Sequence, residues 1–84
     1  MSRKEKLIRR LQSRPKDFTF DELVTLLGYF GFQQASAGNT AGSRVEFRNA
    51  EGKIIKLHRP HPGNEFKPYL VRQIIDDLKG RGLI

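Results

Sequence analysis

The sequence predicts an α+β fold in which two helices cover one face of a small antiparallel three-stranded sheet, with a short extra helix in front. Apolar residues recur at helical spacing near both ends of the chain. The stretch between them alternates between apolar and polar residues, which is typical of a half-buried sheet. Since 84 residues leave room for a single domain, we assign residues 1–84 to one domain, with 1–17 as an N-terminal extension and 18–84 as the core.

The net charge is the strongest compositional signal. Sixteen Lys and Arg residues against nine Asp and Glu residues give a formal charge of +7. Such a charge on a short chain favours polyanionic partners, of which nucleic acid is the first candidate. A basic surface that only keeps the protein soluble is the alternative, and charge alone leaves both open.

Residue usage also limits the chemistry. The chain has no cysteine and two histidines, so a disulfide framework and a thiolate metal site are excluded, and a structural zinc site is not expected. We expect no cofactor. Arg9 and Arg10 interrupt the place where a signal peptide would be apolar, and no apolar run reaches the length of a membrane span. These features predict a cytoplasmic protein without a membrane partner.

The N-terminal extension is expected to form a short amphipathic helix over residues 3–13. Leu7, Ile8 and Leu11 stand at helical spacing among Lys, Arg and Glu residues. The basic face of this helix suits phosphate contact, but a partly frayed, solvated helix explains the pattern equally well. Pro15 ends it, because proline disfavours helical backbone at the preceding residue.

A second helix is predicted to begin after Thr19. The Thr19 hydroxyl can accept from the amide of Glu22 while the Glu22 carboxylate reaches back to Thr19, which is a capping box. The helix should extend to Phe30, because Gly31 can adopt the left-handed backbone conformation that ends helices. Its inward residues are expected to be Leu23, Leu26, Leu27 and Phe30.

Three strands are predicted next, at residues 32–35, 43–48 and 53–58, with a loop at 36–42 and a turn at 49–52. In the hairpin, placing Phe47 opposite Ile55 keeps the apolar side chains on one face. The same register places Arg44 opposite His58 on the polar face. A slip of two residues would instead place Arg44 opposite Lys56, which would juxtapose like charges.

The last helix is predicted from Pro68 to Gly80, since proline suits the first helical position. Its apolar stripe comprises Leu70, Val71, Ile74, Ile75 and Leu78. Between the last strand and this helix, residues 57–72 hold both histidines and three of the four prolines. Because histidine titrates nearest neutrality, proton-transfer chemistry is to be sought in this segment.

Three short motifs identify a family that the chain resembles. They are Gly42-Ser43 at the start of a strand, Pro60-His61-Pro62 after the next strand, and Glu65-Phe66-Lys67-Pro68 before a helix with Arg72 and Ile74-Ile75. In order and spacing, residues 19–83 resemble the HicA-type toxins of bacterial toxin–antitoxin pairs. The resemblance implies a fold like that of double-stranded-RNA-binding domains, messenger RNA cleavage, and neutralisation by a HicB-like antitoxin.

The chain departs from the family pattern at one functional position. The usual catalytic residue of HicA-type toxins is a histidine directly after Gly-Ser, and this chain has Arg44 there. Metal-free RNA cleavage needs a base for the 2′-hydroxyl proton and cations for the charge that grows on the phosphate. We hypothesise that His58 takes the proton while Arg44 and Lys56 hold the phosphate, since Arg can bind phosphate through two parallel hydrogen bonds.

Other residues receive supporting roles. Glu46 is expected to form a cross-strand ion pair with Lys56, and His61 to shape the loop rather than catalyse. The remaining expected RNA contacts are Ser43, Arg59, Lys67 and Arg72, which a solvated surface explains almost as well.

Three functions therefore remain open from the sequence. The first is an RNA-cleaving HicA-type toxin with a protein antitoxin. The second is a non-catalytic RNA-binding domain that retains the fold without the family's histidine. The third is a domain that serves chiefly as the partner-binding half of a toxin–antitoxin complex.

Overall fold

The computed structural model describes residues 2–35, 44–60 and 63–84. The predicted α+β fold is confirmed, with a three-stranded antiparallel sheet and helices in the predicted order. The elements are α1 Arg3–Gln12, α2 Phe20–Tyr29, β1 Gln33–Gln34, β2 Arg44–Arg48, β3 Ile54–His58 and α3 Pro68–Gly80. The predicted loop at 36–42 lies outside the described residues, as do Ser43 and His61.

Helix α2 has the predicted signals at both ends. The Glu22 amide donates to the Thr19 hydroxyl at 3.1 Å, and the Thr19 amide donates to the Glu22 carboxylate at 3.1 Å, so the capping box is confirmed. At the other end, Gly31 has a φ of +86°. The amide of Phe32 then donates to the carbonyl of Leu27 at 2.9 Å, which closes the helix with a Schellman motif.

The sheet has the order β1-β2-β3, and the predicted hairpin register is confirmed: Phe47 faces Ile55 and Arg44 faces His58. Strand β1 is shorter than the predicted 32–35, because the amide of Phe32 is used by the α2 terminus instead of the sheet. Strand β3 lies at one edge of the sheet.

A single apolar core lies between the sheet and the helices. It includes Val45 and Phe47 from β2 and Ile55 from β3, and the helices contribute Leu11, Phe20, Leu23, Leu26, Leu27, Val71, Ile75 and Leu78. The predicted core positions Phe30, Leu57, Leu70 and Ile74 are only partly buried. Burial of the rest supplies the main stabilising free energy of a domain this small.

Helix α1 is docked on the rest of the domain. Leu11 is fully buried, and Leu7 and Ile8 pack against the core. Next to them, the Arg10 guanidinium donates to the Glu22 carboxylate of α2 and to the Asp17 carboxylate. The Lys4 ammonium lies 5.0 Å from the centroid of the Phe30 ring. The helix is therefore fixed by apolar packing and by charged contacts, which opposes the frayed alternative.

The segment before α3 is held against the start of α2. The Phe20 amide donates to the carbonyl of Asn64, and the Phe66 amide donates to the carbonyl of Phe18, both at 2.8 Å. The Asn64 side chain also donates to the Asp21 carboxylate at 3.2 Å. Helix α3 then spans the predicted residues. Among the residues the structure describes, no helix is long and apolar enough to cross a membrane.

Candidate functional site

The candidate site is the polar face at the open end of the β2–β3 hairpin. Arg44 lies directly opposite His58 in the register, and Glu46 lies opposite Lys56. A depression of about 430 Å³ is lined by Arg44, Val45, Glu46, Lys56, Leu57 and His58. Strict alternation along both strands brings these polar groups to one face, while Val45 and Phe47 point into the core. The arrangement brings a guanidinium, an ammonium and an imidazole to one exposed surface.

The ion pairing of Glu46 differs from the prediction. Glu46 was expected to pair with Lys56 across the strands, but the Glu46 carboxylate accepts instead from the Arg48 guanidinium at 2.6 Å. Arg48 is two residues along the same strand, so both side chains point to the same face, and a guanidinium makes a more directional contact than an ammonium. Within the described residues, Arg44 and Lys56 make no ion pair. The cations of the depression therefore keep their charge available for a ligand.

Arg59 has a contact that the sequence did not predict. It follows β3 directly, and its guanidinium lies 4.8 Å from the centroid of the Phe20 ring at the start of α2. Stacking over an aromatic face attracts the cation and holds its side chain in place. Arg59 therefore has a packing role, and its RNA contact stays a prediction.

The other predicted RNA contacts lie apart from the depression. Lys67 is the residue before α3 and makes no side-chain capping bond, and Arg72 lies one turn into that helix; both are exposed. Neither lines the depression. Ser43 and His61 belong to the residues that the structure does not describe, so their roles stay predictions.

A second groove, missed by the sequence analysis, runs between the outer edge of β3 and helix α3. Its volume is about 270 Å³, and its lining includes Leu57, Leu70 and Ile74 together with Lys56 and His58. This explains why those three predicted core residues are only partly buried. Helical and strand periodicity indicate which side chains face inward, but they do not indicate a gap between the two elements.

Polar contacts join α3 to the outer edge of β3 near that groove. The Arg81 guanidinium donates to the backbone carbonyl of Ile54 at 3.0 Å and to the Asp77 carboxylate at 2.9 Å. Since alternate residues of a strand direct their backbone groups to the same edge, the backbone groups of Lys56 and His58 also point toward this open edge. The groove therefore borders the candidate site at His58.

The described residues offer no cluster of metal-ligating side chains. Within residues 2–35, 44–60 and 63–84, no group of three or more His, Cys, Asp or Glu side chains is placed to hold a metal ion. The side chains of the depression are instead cationic or neutral apart from Glu46, which is paired with Arg48. Such a surface is suited to an anionic ligand.

Comparison with known proteins gives a family. The family described as "HicA toxin of bacterial toxin-antitoxin" matches residues 20–79, a span that includes all of α2, all of the sheet and all of α3 except its last residue. Helix α1 lies before the matched span. No curated protein and no solved structure was found to match the chain.

Proposed function

Because the chain belongs to the HicA toxin family of bacterial toxin–antitoxin systems, we propose that it is an mRNA interferase, a metal-independent endoribonuclease of the cytoplasm that a HicB-like antitoxin neutralises. The observation that carries the proposal is the direct opposition of Arg44 and His58 on one depression of the polar sheet face. This pair supplies a base and a phosphate-binding cation where the family places its histidine.

In the proposed reaction, neutral His58 accepts the proton of the RNA 2′-hydroxyl. The 2′ oxygen attacks the adjacent phosphorus, the bond from phosphorus to the 5′ oxygen breaks, and the products are a 2′,3′-cyclic phosphate and a 5′-hydroxyl. The leaving 5′ oxygen takes a proton from water, and the proton on His58 returns to solvent. Lys56, which lies two residues from His58 on the same face, holds the phosphate together with Arg44.

Arg44 stabilises the charge that develops on the phosphate oxygens. Its guanidinium can donate two parallel hydrogen bonds to one phosphate, and no carboxylate of the described residues forms an ion pair with it. Donors that are already in place when charge develops lower the barrier more than water does, because they need no reorganisation. Arg44 would thus occupy the position of the family's histidine, but it would bind the phosphate instead of transferring a proton.

Cleavage of a defined messenger RNA transcript by sub-stoichiometric purified protein tests the proposal. His58→Ala should lower the cleavage rate by about 100-fold or more, the usual contribution of a general base. Arg44→Ala should also lower it, and Arg44→Lys should restore only part, because an ammonium lacks the paired donors. Cleavage should persist in EDTA, since the proposed groups all belong to the protein.

Lys53→Ala is the matched control. It removes one cation from the same hairpin at the turn end, and its side chain has no proposed role. Equal cleavage by wild type, His58→Ala and Arg44→Ala would overturn the proposed centre. Thermal unfolding of each variant checks that the fold is retained.

A second candidate function is a non-catalytic RNA-binding domain, and the arginine at position 44 is the observation that favours it. A binder would retard RNA in a mobility assay and release no fragments at any protein ratio. Its affinity would fall steeply with salt, because cations that contact phosphates displace counterions. The same purified protein and transcript therefore separate the two functions.

The antitoxin is proposed to cover the polar sheet face. Arg44, Lys56 and His58 are exposed there, and a partner that buried them would block RNA access. Co-expression with the neighbouring reading frame should give a stable complex in which cleavage is lost. An antitoxin complex that cleaves RNA as fast as the free protein would contradict this placement.

A further inference from the structure

The outward face of α1 carries a row of exposed cations. Arg3, Lys6 and Arg9 recur every three residues, and all three are exposed. At 100° per residue they span about 120° of the helix circumference. We call these three residues the α1 cationic face. Among the described residues, none of them forms an ion pair or a side-chain hydrogen bond.

The remaining side chains of α1 account for its docking. Leu7, Ile8 and Leu11 pack on the core, and Arg10 bonds Glu22 at 2.5 Å and Asp17 at 3.1 Å. A helix of ten residues would be marginal in water without such contacts. The contacts fix α1 on the domain and leave the α1 cationic face directed away from it.

The charges of the α1 cationic face act on helix stability in opposite directions. Arg9 stands in the last turn, where a cation favours the helix dipole. Like charges three residues apart repel each other, and a cation in the first turn opposes the helix dipole. Arg3 stands in that first turn, and Glu5 is the single acidic residue of the helix. Since packing gains nothing from Arg3, Lys6 or Arg9, their charges point to an anionic ligand.

The form of the surface indicates a polyanion rather than a lipid bilayer. Membrane-surface helices bury their apolar side in the lipid, but the apolar side of α1 is already packed against the core. Three exposed cations in a row fit the repeated phosphates of a nucleic acid strand.

We propose that the α1 cationic face is a second RNA-binding surface, separate from the polar sheet face, which contacts backbone phosphates without reading sequence. The proposal rests on the proposed function in that it takes RNA as the polyanion. It gives the N-terminal helix, which precedes the matched family span, the role of increasing affinity for RNA. Each phosphate neutralised on single-stranded RNA should add about 0.7 to the slope of log affinity against log salt.

Fluorescence anisotropy with a labelled 20-nucleotide single-stranded RNA over a salt series tests the proposal. The variant Lys6→Glu/Arg9→Glu should weaken binding at least about 10-fold at low salt and reduce the slope by about 1.4, the value for two lost phosphate contacts. Lys6→Gln/Arg9→Gln should lower the slope equally without adding negative charge.

Lys53→Glu/Lys79→Glu is the matched control, because it changes the net charge by the same amount at two exposed positions. Lys53 lies in the turn before β3, and Lys79 lies in α3. The control should keep the wild-type slope. If both charge-reversal variants lose the same affinity, net charge alone matters and the proposal is overturned. The proposal is also overturned if the α1 variants bind RNA as tightly as wild type does.

The outcome is distinguishable from failure of the proposed function. If α1 variants bind RNA as wild type does while His58→Ala loses cleavage, only the α1 proposal fails. If wild-type protein binds no RNA, both fail. Circular dichroism and thermal unfolding confirm that the α1 variants are folded, which is expected because the substituted side chains are exposed.

Discussion

Arg10 and Arg44 are both arginines, but the charge of Arg10 is paired inside the fold, whereas the charge of Arg44 is exposed on the sheet face. Arg10 donates to Glu22 and Asp17 at 2.5 to 3.2 Å and lies 5.8 Å from the Phe18 ring centroid. Arg44 lies on the exposed sheet face and makes no ion pair with a described residue. A guanidinium whose donors are already engaged stabilises the fold, whereas one with free donors can bind a ligand.

Arg10→Ala is expected to have the largest effect on stability. It leaves the half-buried Glu22 carboxylate without its main donor, and hydrogen bonds to charged groups contribute about 1.5–3 kcal/mol. Because the pair is partly exposed and screened, we expect a loss of about 1–2 kcal/mol in the free energy of unfolding. Urea denaturation followed by circular dichroism measures it.

Arg44→Ala is the comparison variant in the same experiment, and it should change the free energy of unfolding by less than about 0.5 kcal/mol. Equal losses for the two variants would contradict the division between stabilising and ligand-binding arginines.

The pH dependence of stability sharpens the comparison. The hydrogen bond from Arg10 holds the pKa of the Glu22 carboxyl below its usual range, against the opposing effect of partial burial. Because the folded-state pKa is below the unfolded one, the stabilising contribution is complete above the unfolded pKa of about 4.3 and is lost as the pH falls through the folded value.

Glu22→Gln removes that titration. Its deficit in unfolding free energy relative to wild type should therefore be largest at neutral pH and shrink in acid, below about pH 4. Chemical denaturation at several pH values checks the trend. A deficit that stays constant down to acid pH would mean that Glu22 stabilises through packing or capping alone.

Arg59 lies between the two classes, and its removal should affect stability less than that of Arg10 and more than that of Arg44. Arg59→Ala removes the cation over the Phe20 ring, which should cost about 0.5–1 kcal/mol of stability, and it also removes a cation beside the candidate site. Arg59→Lys should keep most of the RNA affinity but lose part of the stacking. Parallel unfolding and anisotropy measurements separate the two roles, and no change in either would remove Arg59 from both.

Local sequence signals predicted the backbone well. The capping box at Thr19 and Glu22 located α2, Pro68 located α3, and the alternation around Phe47 determined the hairpin register that placed Arg44 opposite His58. These signals act within a few residues, so the sequence contains them directly. The register also predicted which residues share the candidate site, because the register determines which positions of a hairpin face each other.

Contacts between distant side chains were not predictable in this way. Arg10 and Glu22 are twelve residues apart and meet only because α1 docks on α2. The Glu46 carboxylate pairs with Arg48 and not with Lys56, although both cations lie on the same face of the sheet as Glu46. The choice between two nearby cations depends on the geometry of their side chains. The groove beside β3 depends on how far α3 lies from the strand edge.

By itself, the sequence determined the helices, the hairpin register and the membership of Arg44, Lys56 and His58 in one polar face, because periodicity and capping are local properties of the chain. Only the tertiary structure decided which cations are paired and which make no ion pair with another described residue. Long charged side chains reach several possible partners, and the choice among them depends on the docking of whole elements.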